Sequence, residues 1–205
     1  MFSTMVKRRF LLVTGILSVS AMLTLGTGTA LAVGPDDFIR DMGSKAIDSL
    51  TARNITRPER EKRFREILRR AFDMRTIARF TLGRYWSIAT EKQRREYIPL
   101  LEAFIVQAYT TRFKDYNGQT LEVGKVHQIN KRDRLVVSRI VQSKGPPIRV
   151  NWRVRSNNGY RIVDVVVEGI SMGITQRAEF AAVMRSNGGK VEGLLAALRR
   201  KTARN

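Results

Sequence analysis

The chain has 205 residues, with 38 Lys and Arg against 18 Asp and Glu, one His and no Cys. Without cysteine there is no disulfide framework and no thiolate chemistry, and a single histidine gives a metal site little to build on. A formal charge of +20 asks for an anionic counterpart, whether nucleic acid, an acidic protein or an anionic lipid surface. The length suits one domain.

Residues 1–32 read as a signal peptide. Lys7, Arg8 and Arg9 form a positive n-region, residues 10–25 an apolar h-region, and Ala30-Leu31-Ala32 a small-residue cleavage site. The apolar run is shorter than the roughly 20 residues a spanning helix needs. Cleavage would leave a basic chain starting at Val33. Its hydrophobic content suits a core that needs no disulfides, and a bacterial periplasm fits. Export also demotes nucleic acid as the partner.

Residues 33–117 are mainly helical in pattern. Pro35-Asp36-Asp37 opens a helix with Phe38, Ile39, Met42, Ala46, Ile47 and Leu50 on one stripe. Thr56-Arg57-Pro58-Glu59 is a capping-box pattern, followed by Phe64, Ile67, Leu68 and Ala71 at helical spacing. Asp73 can cap a short helix carrying Ile77, Phe80 and Leu82, which Gly83 ends. Thr90-Glu91-Lys92-Gln93 opens a longer helix, which Pro99 should bend.

From residue 118 the period changes to 2. Leu121–Ile129, with a break or bulge at Gly124, Leu135–Val141 and Ile148–Arg155 read as strands. Ser156-Asn157-Asn158-Gly159 turns into a fourth strand from Tyr160. A two-residue loop there pairs Trp152 with Val163 or Val165 and puts Ile148, Val150 and Trp152 on the face of Val163, Val165 and Val167. A three-residue loop without a bulge would pair Trp152 with Asp164 and mix the faces. The other face then carries Arg149, Asn151 and Arg153 beside Asp164 and Glu168, a cross-strand ion-pair cluster. The strand breaks at Gly169-Ile170-Ser171-Met172-Gly173, a flexible apolar corner. A helix follows, with Thr175 as N-cap and Phe180, Val183 and Met184 on its apolar side, and Asn187-Gly188-Gly189 stops it. A closing helix places Val191, Leu194, Leu195 and Leu198 on one stripe, and residues 200–205 form a frayed basic tail. The order, helices around an antiparallel sheet of four strands, is that of an α+β fold, with residues 33–199 as one domain.

Catalytic groupings are absent from this pattern. His127 sits on a polar strand, and no elbow motif surrounds any serine. Asp164 and Glu168 lie about 13 Å apart along an extended chain, wider than the roughly 5–9.5 Å of glycosidase pairs. The chain reads as a binding protein rather than an enzyme, without metal or cofactor. Arg60, Arg63 and Arg69, within a run of cations from Arg53 to Arg112, are the candidate docking residues for anionic headgroups or an acidic partner.

Three segments carry a family resemblance: FDMRTIARFTLGRYWSIATEKQRREY (72–97), YTTRFKDYNG (109–118) and NWRVRSNNGYRIVDVVVEGISMGITQRAEFAAVMRSNGGKVEGLLAALR (151–199). Together they resemble the MlaC family, periplasmic auxiliary proteins of phospholipid-transport and toluene-tolerance ABC systems that maintain outer-membrane lipid asymmetry. The likeness runs from about residue 36 to 199, and a hopanoid-associated branch shares the pattern. The resemblance implies a curved sheet packed with helices around an apolar lipid cavity. It also implies a phospholipid ligand, an outer-membrane lipoprotein–porin complex as one partner, and an inner-membrane ABC transporter with an MCE-type ring protein as the other. The alternatives are a carrier of hopanoids or sterol-like lipids, and an accessory module of the transporter that binds no lipid.

The family offers no catalytic residues to carry over. From the crowding of apolar residues, the inferred lining is Phe72, Ile77, Phe80, Tyr85, Trp86, Phe104, Tyr109 and Phe113 on the helices. The sheet contributes Val150, Trp152, Val163, Val165 and Val167, and the corner and following helix contribute Ile170, Met172 and Phe180. Two acyl chains of about 30 methylenes in all would cost roughly 25 kcal/mol exposed to water. A carrier must therefore cover them, with adaptable residues such as Met42, Met74, Met172 and Met184 helping it fit.

Overall fold

Short-range caps set most of the helix starts. The computed structural model describes residues 33–52, 54–110 and 116–203, so the leader at 1–32, Phe113 and Arg204 lie outside the described residues. Helix α1 spans Pro35–Leu50, α2 Arg57–Ala71, α3 Met74–Leu82, α4 Tyr85–Ile88 and α5 Glu91–Thr110. The Thr56 hydroxyl accepts the Glu59 N–H at 3.4 Å and the Asp73 carboxylate accepts the Thr76 N–H at 2.9 Å. At α5 the capping box closes in both directions: Gln93 N–H reaches Thr90 Oγ1 at 3.2 Å, and Thr90 N–H reaches Gln93 Oε1 at 3.0 Å. The one-turn α4 is an element that the sequence pattern does not mark.

The sheet follows as β1 Thr120–Gln128, β2 Asp133–Val141, β3 Ile148–Ser156, β4 Tyr160–Val167 and β5 Ile170–Ser171, antiparallel throughout and in chain order. It is curved and carries five strands rather than four. The irregularity expected at Gly124 is there, between Val123 and Val126. Helices α6 Met172–Ser186 and α7 Val191–Thr202 close the chain. The basic segment after Leu198 therefore stays helical through Thr202 instead of fraying. Arg199 is held by Glu96 and Glu192.

The β3–β4 register combines two irregularities. Ser156 pairs with Tyr160 across a three-residue loop, Val154 pairs with Ile162, and the ladder then slips so that Arg153 meets Asp164 and Trp152 meets Val165. Val163 is the extra residue. A three-residue loop with a one-residue bulge thus reaches the pairing of Trp152 with Val165 that a two-residue loop would give. Ile162, in place of Val163, joins the cluster beneath the sheet.

Two apolar clusters hold the fold. One lies among α3 to α7, with Tyr97, Leu101, Met184 and Leu195 fully buried. The Tyr97 hydroxyl meets Thr81 Oγ1 at 2.8 Å, and burial pushes its phenol up from the ordinary value. The other lies between α1 and the sheet, where Ile39 packs with Val136, Val154 and Ile162. Helix α1 comes close enough that a Cβ at Gly43 would sit 2.5 Å from Leu121 Cδ2. Phe72 packs against both clusters and forms a parallel bridge with Ile162, the Asp73 N–H reaching the Ile162 carbonyl at 3.0 Å.

On the opposite face, Asp133 is 1 % exposed and takes Arg153 Nη2 at 2.7 Å and Arg155 Nε at 2.7 Å. Arg155 above all holds its carboxyl far below the ordinary carboxylate range, against the opposing effect of burial. A depressed folded value contributes stability that is present above the unfolded value of about 4 and lost as pH falls below it. Asp133→Asn should cost about 2 kcal/mol at neutral pH and flatten the acid limb of stability against pH. Urea titrations of both proteins between neutral pH and the acid limit would check this, and parallel curves would refute it.

Candidate functional site

The face of the sheet toward α1 is built of cross-strand rows. Val126, Val136, Trp152 and Val165 form one, since each is the register partner of the next. Val123 pairs with Ser138, and Val150 with Val167. Leu121, Ile140 and Ile148 form the row at the far end. Ser138 is the lone polar side chain in these rows. Its hydroxyl donates to the Val150 carbonyl and accepts the indole N–H of Trp152 at 2.9 Å. The two polar groups of these rows therefore satisfy each other.

Burial varies along the face. Val136 and Val154 are fully buried, and Val150 is 5 % exposed. Trp152, Val165, Val167, Ile140 and Ile148 are half-buried. Tyr109, at the end of α5, bonds Met172 Sδ at 3.7 Å through its hydroxyl, and both are half-buried. The structure thus brings Val150, Trp152, Val165 and Val167 onto one wall and joins Tyr109 to Met172.

The remaining inferred lining residues go elsewhere. Tyr85 and Phe180 are 5 % and 4 % exposed within the helical cluster. Phe180 meets Tyr97 and Phe104 edge-on at 6.1 and 5.9 Å, so it is core. Phe72, Ile77, Trp86 and Phe104 pack against that cluster from its rim. Val163 is buried in the bulge. Phe80 and Ile170 are 39 % and 59 % exposed and line no interior. Among the pockets of the described residues, one of about 260 Å³ is lined by Arg57, Phe104, Gln107, Ala108 and Lys201. Another of about 170 Å³ is lined by Arg75, Thr76, Arg79 and Trp86. Both fall below the roughly 300–1,000 Å³ of small-molecule sites.

The corner after β4 is a built turn rather than a loose hinge. Glu168 and Gly169 have φ of 49° and 83° between the paired Val167 and Ile170, the two positive φ values of a type I′ hairpin. Glu168 is held there by its carboxylate, which accepts the Arg149 N–H and takes Arg149 Nη2 at 3.2 Å. That backbone hydrogen bond, more than the guanidinium, lowers the Glu168 carboxyl from its ordinary value. Asp164 does not join the ion-pair cluster. It accepts Ser171 Oγ at 2.6 Å, Gly173 N–H at 3.0 Å and Val165 N–H at 2.9 Å. The cap of α6 is Ser171, whose Oγ accepts the Ile174 N–H at 3.1 Å. Thr175 lies inside the helix, its hydroxyl bonded back to the Ser171 carbonyl. Asp164 and Ser171 together start α6.

The expected docking arginines are largely structural. Arg60 is 8 % exposed, with Nε on the Leu50 carbonyl at 2.9 Å. Arg63 reaches the Ser49 carbonyl at 3.0 Å and Glu59 at 2.8 Å. These two tie the end of α1 to α2, satisfying carbonyls that the helix end leaves open. Arg69 is more exposed but pairs, with Arg65, to the buried Glu102. No group of acidic, His or Cys residues among the described residues could hold a metal ion, and no described helix is long and apolar enough to cross a membrane.

The family model of the MlaC protein matches residues 40–200. Among solved structures, a phospholipid-binding protein from Ralstonia solanacearum, in complex with a phospholipid, superposes with a TM-score of 0.72. The two chains are 20 % identical over 82 % of this chain and 96 % of that one, a likeness that fixes the fold. The division between core and wall is open to test by melting. Phe180→Ala should lose about 3–5 kcal/mol, and Ile170→Ser less than about 0.5 kcal/mol. Equal losses would contradict the placement of these two side chains.

Proposed function

The chain belongs to the MlaC family, and we propose that it is a periplasmic phospholipid carrier that seats acyl chains against the Trp152 face of its sheet. The observation that supports this most directly is the pairing of Ser138 with Trp152 on an otherwise apolar wall. A wall for acyl chains must present no unsatisfied donor or acceptor, because each would cost free energy when covered by hydrocarbon. The solved relative in complex with a phospholipid supplies the ligand class. The half-buried side chains of the wall, Trp152, Val165 and Val167, are where this reading seats the tails.

In this reading the tails separate the helical cluster from the sheet, with Phe72 as the shared edge, and lie between the sheet and the Tyr109–Met172 pair. The headgroup stays outside. The protein takes lipid from one membrane complex and delivers it to another, an outer-membrane lipoprotein–porin complex and an inner-membrane ABC transporter in the pathway that the family serves. Residues 1–32 export the chain and are removed. No step breaks or makes a covalent bond.

Native mass spectrometry after incubation with phosphatidylglycerol vesicles tests the reading. The expected result is a one-to-one adduct with the mass of a diacyl phospholipid. In Val165→Trp or Val167→Trp, whose added indole fills the wall, the adduct should fall at least tenfold (about 1.4 kcal/mol,) while the protein still melts cooperatively. A wild-type protein that stays at its bare mass would overturn the proposal, and so would bulky variants that load lipid normally.

A further inference from the structure

From the exposed residues of α3 and the β5–α6 corner, we propose that this surface docks the protein on an anionic phospholipid bilayer. Three of the seven large hydrophobic residues exposed among the described residues gather here: Phe80 at 39 %, Ile170 at 59 % and Ile174 at 62 %. Their proximity is set by two contacts. The Phe80 ring is close enough to Gly173 that an added Cβ there would lie 3.2 Å from Phe80 Cε1, and the Arg177 guanidinium stacks over Phe80 at 5.4 Å. Arg177 also lies against Gly83, just ahead of α4. One continuous surface thus runs from the α6 start across α3 to α4.

Three cations of this surface have no ion partner among the described residues. Arg75 and Arg79, one turn apart on α3, are exposed and have no ion pair or hydrogen bond among the described residues. With Thr76 and Trp86 they line the recess of about 170 Å³. The nearby carboxylates are already engaged: Asp73 with Thr76, Asp164 with Ser171 and Gly173, and Glu168 with Arg149. Glu179, on the second turn of α6, accepts Gln176. The surface therefore offers three guanidinium groups without an ion pair among the described residues, around a protruding apolar edge.

That combination fits a bilayer better than an acidic protein. Lipid phosphates match the arginines, which take phosphate oxygens in a forked geometry, and the recess can admit one phosphate. The isoleucines enter the boundary between headgroups and acyl chains, where apolar surface leaves water. An acidic protein would match the charge and leave Ile170 and Ile174 without a counterpart. The inference goes beyond the carrier reading and does not depend on it, since docking needs no lipid to be withdrawn.

Vesicle flotation at low salt provides the test. The purified protein should float with phosphatidylglycerol-containing vesicles and stay behind with pure phosphatidylcholine. Arg75→Glu/Arg79→Glu/Arg177→Glu should weaken flotation by about 100-fold, and Ile170→Ser/Ile174→Ser should weaken it while the charge is intact. The five arginines and two isoleucines changed across these variants are exposed, apart from the half-buried Arg63, and circular-dichroism melts check that each variant folds. Arg63→Gln/Arg69→Gln should float as wild type does. Flotation unchanged in either of the first two variants overturns the proposal. Binding to polyglutamate without flotation also overturns it and assigns the surface to an acidic protein. Loss of flotation with a normal phospholipid adduct leaves the carrier reading standing, and the reverse result removes that reading alone.

Discussion

The face of the sheet that carries Trp152 stays apolar because the β3–β4 ladder takes up one extra residue at Val163. The loop Asn157–Gly159 on its own would set Asp164 opposite Trp152 and turn a carboxylate toward α1. The bulge slips the ladder by one, so Trp152 meets Val165 and Asp164 meets Arg153. Since side chains alternate along a strand, that slip moves every later residue of β4 to the other side. It delivers Val165 and Val167 to the wall and Asp164 to the start of α6. The same irregularity therefore builds the apolar surface and supplies the carboxylate that begins the next helix.

The opposite face faces the reverse problem, an excess of positive charge at close quarters. Arg139 and Arg149 are register partners, as are Arg155 and Arg161, and like charges directly opposed destabilise a ladder. The fold gives several of these cations a different acid. Arg139 takes Glu122, Arg149 takes Glu168, and Arg153 and Arg155 share Asp133. Asp133 is the most deeply buried of these acids. With two guanidinium groups over one carboxylate, it holds the start of β2 to the end of β3. Pairs of this kind fix arginines in place without changing the net charge, which the cations without an acid partner carry.

What the sequence made legible was local in range. Thr56, Asp73, and Thr90 with Gln93 could be read as caps because donor and acceptor lie three residues apart. The stripes of α1 and α7, and the alternation along β2 to β4, could be read from periodicity, as could the α+β order. What escaped needed partners far along the chain. Arg60 bonds a carbonyl ten residues back, and Asp133 meets arginines 20 and 22 residues on. Neither has a spacing that announces it. Thr175 was a reasonable cap by type, but the I′ turn at Glu168-Gly169 brings Ser171 to that position first. The crowding of aromatics around residues 72–86 was real, yet it served core packing at Tyr85 and solvent at Phe80. Composition alone does not tell a cavity lining from a helix interface.

How closely the helices cover the sheet bears on how a carrier of this architecture would work. An apolar cavity open to water would itself be costly, since its whole lining would stay hydrated. Helices seated on the wall would remove that cost in a protein without lipid. Cover over the wall is uneven: Trp152, Val165 and Val167 are half-buried, whereas Val136, Val154 and Ile162 are sealed. Uncovering the half-buried side chains would therefore forfeit less burial than uncovering the sealed ones. The opening would be asymmetric, pivoting near the Phe72–Ile162 bridge, where the two clusters share a side chain and the backbone is hydrogen-bonded across them. The Tyr109 hydroxyl contacts Met172 Sδ at 3.7 Å and joins the end of α5 to the start of α6. A wall whose Ser138 and Trp152 satisfy each other, beside a backbone fixed at the Phe72–Ile162 bridge, would let acyl chains replace protein contacts without stranding those polar atoms.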